Sequence, residues 1–341
     1  MKSQNKVQTV NIISISTCLL LYIQCSTPFD SCSYDDDYVK GINIFFKPPR
    51  NAFTVSDFSE SLNRLRSDGV NTLCLVPFYI SENEGSNNID STSQTIPDSQ
   101  LISAISLSQR YGFSVVLKPH IDLKNDVPRY KISPNDYSIW ISNYKKFINR
   151  YLEIAINAGL HDFVVGTELD GVVEHKEFYK LCDSISSACP IRLIYAASFN
   201  HFTSTGLWDH VDIMGIDAYF NLDNNNPPST NTLHETWNYW LNLVSEFSAL
   251  KGKPILFTEA GYFSRNTAAQ NPGSWAGDPS ANCELQKECY EALLSQACHF
   301  DRIIGICWWQ WELGGIGGIN NNDATPRDKP AEEIIRRYWS K

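Results

Sequence analysis

Residues 162–169 read Asp162-Phe163-Val164-Val165-Gly166-Thr167-Glu168-Leu169. The run is apolar on consecutive positions, which marks a strand covered on both faces, as in a parallel sheet. An amphipathic segment, 174–188, follows it, and then a second apolar run, 191–198. Two parallel strands need a long crossover between them, and a helix of that length supplies one. The same β–α–β unit recurs outward in both directions. Strands are expected at 39–46, 71–78, 113–120, 162–168, 191–198, 211–219, 254–261 and 303–310. Helical patterns lie at 55–68, 98–111, 134–157, 174–188, 233–250, 284–299 and 331–338, and only the connection at 203–209 is too short for a full helix. Eight such units make a single α/β domain, a (β/α)8 barrel over residues 39–341. The Gly41-Ile42-Asn43-Ile44 stretch is not the Gly-rich phosphate turn of a doubly wound sheet.

The composition fits a packed enzyme-sized domain. Of 341 residues, 43% are hydrophobic and 12% aromatic, which excludes a disordered chain. The net charge of −10 and the lack of a basic stripe exclude a nucleic-acid partner. Lys2 and Lys6 precede an apolar stretch from Val10 to Ile23 that polar residues interrupt and that is too short to span a bilayer. Residues 1–25 therefore read as an export signal. Leu21-Tyr22-Ile23-Gln24-Cys25 resembles a bacterial lipobox, with Gln24 where a small residue is usual. Cys25 is then the lipidated residue and the only membrane contact, and 26–38 is a polar tether. In an exported chain the cysteines can pair. Cys182 with Cys189, and two of Cys283, Cys289 and Cys298, are near enough in sequence. Cys74 and Cys307 sit in apolar strands and are expected as buried free thiols. There is no Cys-x-x-Cys and no His-Glu-x-x-His, so no metal site is expected.

In such a barrel the chemistry sits at the carboxyl ends of the strands. The fourth strand ends in Gly166-Thr167-Glu168-Leu169 and the seventh in Thr258-Glu259-Ala260-Gly261-Tyr262. A carboxylate after an apolar run is costly to bury without a partner or a task. Strand ends four and seven face each other across the mouth. Glycoside hydrolysis asks for two such groups, one to protonate the departing oxygen and one to meet the oxocarbenium carbon. The third strand ends in Lys118-Pro119-His120-Ile121-Asp122, where Lys118 and His120 alternate toward one face, to touch substrate or to pair with Asp122. Asp217 and Tyr219 share a face at the end of strand six, and Trp308-Trp309-Gln310-Trp311 closes strand eight. Trp309 and Trp311 are the candidates for rings that stack on a sugar, and Trp275 is a weaker one. The polar loops 81–99 and 221–232 fall on the same face and are expected to shape subsites. Asp170, Glu174 and Glu312 are expected to be solvated or salt-bridged.

The Glu168 and Glu259 motifs, the Trp-Trp-x-Trp strand and the closing Thr325-Pro326-Arg327-Asp328-Lys329-Pro330-Ala331 resemble glycoside hydrolase family 113, over about residues 39–339. That family holds clan A barrel β-mannanases. The resemblance implies Glu168 as acid/base, Glu259 as nucleophile and Tyr219 as the hydroxyl that supports the nucleophile. Thr167 stands where the clan commonly has an asparagine for the sugar 2-hydroxyl, and a hydroxyl cannot replace an amide pair. The implied activity is retaining, endo-acting hydrolysis of β-1,4-mannan or a related β-glycan, with a saccharide as partner and no cofactor. The rivals are another clan A β-glycosidase and a surface lipoprotein that binds glycan without cleaving it. A bell-shaped pH profile on the acidic side of neutral follows from a paired acid and nucleophile.

Overall fold

The computed structural model describes residues 32–225, 227–274 and 279–340. Residues 1–25, expected as an export signal that ends at Cys25, and Trp275 lie outside them. In chain order the elements are β1 (Val39–Phe45), α1 (Val55–Ser67), β2 (Thr72–Val76), β3 (Phe78–Ser81), α2 (Asp98–Arg110), β4 (Ser114–Leu117), β5 (His120–Leu123), α3 (Tyr137–Asn157), β6 (Asp162–Thr167), α4 (Lys176–Ala188), β7 (Arg192–Ser198), β8 (Ile213–Asp217), α5 (Thr230–Lys251), β9 (Ile255–Ala260), α6 (Cys283–Ala297), β10 (Ile303–Trp308) and α7 (Pro330–Trp339). Eight strands close a parallel barrel in the order β1-β10-β9-β8-β7-β6-β4-β2. The expected short connection between β7 and β8 carries one 3-10 turn, Leu207–His210.

Two strands differ from the sequence reading. The second and third apolar runs each break at a proline, Pro77 and Pro119, which has no N–H to give to a ladder. Their continuations, β3 and β5, pair with each other in parallel as a separate two-stranded ribbon at the mouth. The His120 N–H still reaches the Pro77 carbonyl at 2.9 Å, so the ribbon is anchored to the barrel. The loop after β3 is tied down as well, by an antiparallel bridge between Ile80 and Asp90.

Inside the barrel, Cys74, Val116, Val164, Ile194, Ala196, Ile213, Leu256 and Cys307 fill the lower layers. Side chains two residues further along a strand point the same way. Val116 therefore leads to Lys118, and Ile213 to Gly215 and Asp217, whereas on β6 a register shift between Val164 and Gly166 breaks the alternation before Glu168. The interior turns from apolar to charged toward the mouth. The helices pack outside. The inner face of α3 buries Trp140, Tyr144, Ile148 and Tyr151 at spacings of three and four, and Asp136 caps its first turn by accepting from the Ser138 and Ile139 N–H groups. Truncating a ring such as Trp140 to alanine would cost about 3–5 kcal/mol.

The cysteines pair differently from expectation. Cys32 is bonded to Cys298 at the end of α6, while Cys182, Cys189, Cys283 and Cys289 are free. Cys74 and Cys307 are buried free thiols. Residues 32–38, read as tether, are therefore part of the domain, and the buried Tyr34 hydroxyl donates to the Leu294 carbonyl at 2.6 Å. His299 lies close to the two sulfurs, which are already spent in the disulfide.

Candidate active site

Glu259 occupies the next-to-last position of β9 and is 4% exposed. A register shift between β8 and β9 at Ile216/Asp217 turns the strand end so that Asp217 pairs with Glu259. Behind it Gly261 leaves room for β10, since a Cβ there would strike the Trp309 carbonyl. The Lys118 ammonium contacts Glu259 Oε1 and lies 3.2 Å from Asp217 Oδ1, with no exposed surface on its side chain. The Tyr219 hydroxyl donates to Glu259 Oε2 at 2.6 Å, and Thr258 Oγ1 donates to Asp217 at 2.8 Å. His120 Nε2 lies 3.6 Å from Glu259 Oε1.

The electrostatics follow from burial against pairing. Burial opposes the Lys118 charge, but the Asp217 and Glu259 carboxylates outweigh it and hold its pKa above the usual lysine value. Asp217 is pushed up to about 7 by burial and by Glu259, with Lys118 and Thr258 opposing. The Tyr219 phenol is raised far above its ordinary range by burial and by Glu259, so it stays a donor. Burial, with the Arg129 and Lys118 charges, keeps His120 well below the usual histidine value and therefore neutral. Neither His120 ring nitrogen has a hydrogen-bond partner among the described residues.

Glu168 is the first residue past β6, and its φ of +50° is in the left-handed region that favours glycine. For a non-glycine residue this costs on the order of 1 kcal/mol. Its N–H donates to the Ala196 carbonyl at 2.7 Å, and the Leu169 N–H to the Tyr195 hydroxyl at 3.0 Å, which fix the turn. The side chain is 22% exposed, and the Arg129 Nη1 lies 3.9 Å from Oε2. Burial, together with the Asp217 and Glu259 charges, pushes Glu168 up to about 8, against Arg129 and Lys118. The mouth therefore holds a protonated carboxyl, and a second carboxylate paired with an ammonium and a phenol. One group can give a proton while the other attacks as an anion.

The remaining sequence candidates divide. Trp309 is half-buried at the mouth, stacked on His120 with centroids 5.7 Å apart and planes 9° apart. Trp311, expected beside it at the cleft, is instead fully buried between the guanidinium groups of Arg64 and Arg327. β10 ends at Trp308, so strand alternation does not extend to Trp311. Thr167 is buried, and its Oγ1 has no partner among the described residues. Asp122 pairs with Arg129 at 2.7 Å and with Lys47 at 4.0 Å, not with Lys118 or His120. Asp170 accepts from Ser198, Glu174 from Thr205 and Tyr179, and Glu312 from Gln310. The sequence reading missed Arg129 and also Asn43, whose buried amide donates to the Thr258 carbonyl at 3.1 Å and steadies the strand before Glu259. Asn43 was legible as a polar residue within an apolar strand. Arg129 lies in a connection with no periodicity to flag it.

A hollow of about 360 Å³ opens beside Glu168, lined among others by Lys47, Gln94, Asp122 and Arg129. A larger one, about 880 Å³, lies among the strand starts at the other end of the barrel, around Asn71, Ser114 and Asp162. Neither glutamate faces that end.

The chain is similar in fold to a GH113 β-1,4-mannanase, at 21% identity over 89% of this chain and 100% of that one, with a TM-score of 0.80. It is similar to the GH113 β-mannanase AaManA of Alicyclobacillus acidocaldarius in complex with ManMIm, at 19% identity over 90% and 98% of the two chains, also at 0.80. A family 5 mannosidase of Rhizomucor miehei follows at 12% identity, 89% and 92% coverage and 0.58. No curated protein matches the chain. The profile of Glycoside Hydrolase Family 113 matches residues 44–324, which takes in both glutamate strands and most of the barrel. With two carboxyl groups of opposite setting at the mouth of that barrel, the chain belongs to Glycoside Hydrolase Family 113.

Proposed function

We propose that the protein cleaves β-1,4-linked mannan, or a closely related β-glycan, within the chain and with retention of anomeric configuration. The observation that carries this reading is the opposed setting of Glu168 and Glu259. The β-mannanase names of the structures it resembles support the substrate class. In the first step Glu259 Oε attacks the anomeric carbon while Glu168 passes its proton to the glycosidic oxygen, so the C–O bond breaks and the leaving saccharide departs as an alcohol. In the second, Glu168 takes a proton from water, the water oxygen bonds to the anomeric carbon, and Glu259 leaves as a carboxylate. Lys118 and Tyr219 hold the Glu259 charge in place, and Asp217 steadies Lys118. Neutral His120 offers a ring N–H to a sugar hydroxyl, Trp309 offers a flat apolar face, and Thr167 offers a single hydroxyl. No cofactor takes part in these steps. The same reading has the enzyme exported on residues 1–25 and lipid-anchored at Cys25, so Cys25→Ser would move it from the membrane fraction to the soluble one.

The test incubates the enzyme with β-mannan, cellulose, xylan and mixed-linkage glucan, and follows the first-formed anomer by NMR. A ladder of short mannan oligomers with β-anomers at the new ends is expected. Mannose alone would overturn endo action, an α-anomer would overturn retention, and binding without cleavage would overturn the enzyme assignment.

A further inference from the structure

Arg129 belongs to neither glutamate motif, yet it is the cation beside the acid/base candidate. It opens a 3-10 turn, Arg129–Lys131, in the connection after β5. Its Nε donates to the Ile121 carbonyl at 3.1 Å and its Nη2 to Asp122 Oδ1 at 2.7 Å, which fixes the plane of the guanidinium. Nη1 is left over and faces Glu168 Oε2 at 3.9 Å. The side chain is 16% exposed, and the hollow beside Glu168 reaches it. A guanidinium so placed keeps its charge through any catalytic cycle.

Glu168, in contrast, must change charge twice in a double displacement. At the outset it faces the Glu259 and Asp217 carboxyl groups across the mouth, the cationic Lys118 and Arg129, the latter paired with Asp122, the neutral His120 and the Tyr219 phenol. Burial and the two carboxylates together outweigh the cations, and Glu168 is protonated. Once Glu259 is esterified to the sugar, one of the opposing anions is gone, while Arg129 is unchanged. The balance around Glu168 then shifts toward the carboxylate. We propose that Arg129 is a positioning residue that holds Glu168 as a carboxylate in the second half of the reaction, so that it can take a proton from the attacking water. The inference rests on the double-displacement reading above.

The test uses 2,4-dinitrophenyl β-mannobioside, whose leaving group departs without a proton. With this substrate kcat/KM reports the first step and kcat the second. Arg129→Met is expected to lower kcat roughly 10–100-fold, the effect of removing a charge worth about one to two pKa units, with kcat/KM little changed. A burst of dinitrophenolate would precede the slow phase, and the acid limb of kcat would move to higher pH. Azide, which needs no base, would restore the rate, and Arg129→Lys would keep most of it. Unchanged kcat in Arg129→Met would overturn the inference. An equal fall in kcat and kcat/KM with no response to azide would overturn it too, because Arg129 would then only hold the loop or the sugar. An inverted product from the wild-type enzyme would overturn the double-displacement reading, and this inference with it.

Discussion

The ends of β6 and β9 carry the same side chain after the same kind of apolar run, and the protein treats them in opposite ways. Glu259 lies within its strand, 4% exposed, with an ammonium on one oxygen and a phenol on the other. Glu168 lies one residue beyond its strand, at a positive φ, and its carboxyl makes no hydrogen bond with the described residues. A carboxylate that must remain an anion can be tied to fixed donors, because its charge is constant until it attacks. A carboxyl that gains and loses a proton each turnover cannot, since a donor fitted to one form would oppose the other. On the proposed reading, position relative to the strand end separates a fixed anion from a proton carrier.

The sharpest way to break this comparison is to remove each glutamate in turn. Glu259→Ala should lower kcat by roughly 10⁴-fold or more, and added azide should give a glycosyl azide of inverted configuration. A variant that kept a tenth of its activity would end the nucleophile assignment. Glu168→Ala should lose about 10²–10⁴-fold on polysaccharide and much less on a dinitrophenyl glycoside, with an azide product of retained configuration. Equal losses on both substrates would mean that Glu168 is not the acid. Lys118→Met leaves two buried carboxylates facing each other and should destabilise the fold by about 3–5 kcal/mol in urea titration at neutral pH. The folded pKa of Lys118 is raised, so its contribution is fully present below the unfolded value and lost only as pH climbs through the higher folded one. The gap between wild type and variant should therefore not narrow on going from pH 7 to 9. Tyr219→Phe removes one charge-assisted bond, worth about 1.5–3 kcal/mol, and should lower kcat roughly 10–100-fold with KM almost unchanged. The mildest test is the pH profile. With Glu168 pushed up to about 8, kcat/KM should hold to that pH and fall above it as the proton is lost. That limb is higher than the composition and motifs alone suggest, and a limb near pH 5 would show that Glu168 is less shielded than its surroundings imply.

Much of this was legible in the residues. Apolar runs located the barrel strands to within a few residues, and the two glutamates stood out because a carboxylate after such a run needs a reason. The limits are physical. Pro77 and Pro119 lie inside apolar runs, so hydropathy continues across a point where the hydrogen-bond ladder stops. Trp311 shares the alternation of Trp309 on paper, but alternation holds only within a strand, and β10 has ended. Cys32 and Cys298 are 266 residues apart, and nearness in sequence is a poor guide where a closed barrel sets the first strand beside the last. Arg129 reaches Glu168 only because β3 and β5 form a ribbon that carries its loop over the mouth.

The Cys32–Cys298 bond has a consequence for orientation. Helix α6 starts near the mouth and ends where the chain turns back into β10, so its last turn lies at the rear of the barrel. Fixing Cys32 there puts the first of the described residues on the side away from Glu168 and Glu259. Were the N-terminal segment to hold the enzyme to a surface, as proposed above, the opening would look outward. A long, stiff polymer could then lie across it without passing between protein and surface, and attachment and substrate would not compete for the same ground.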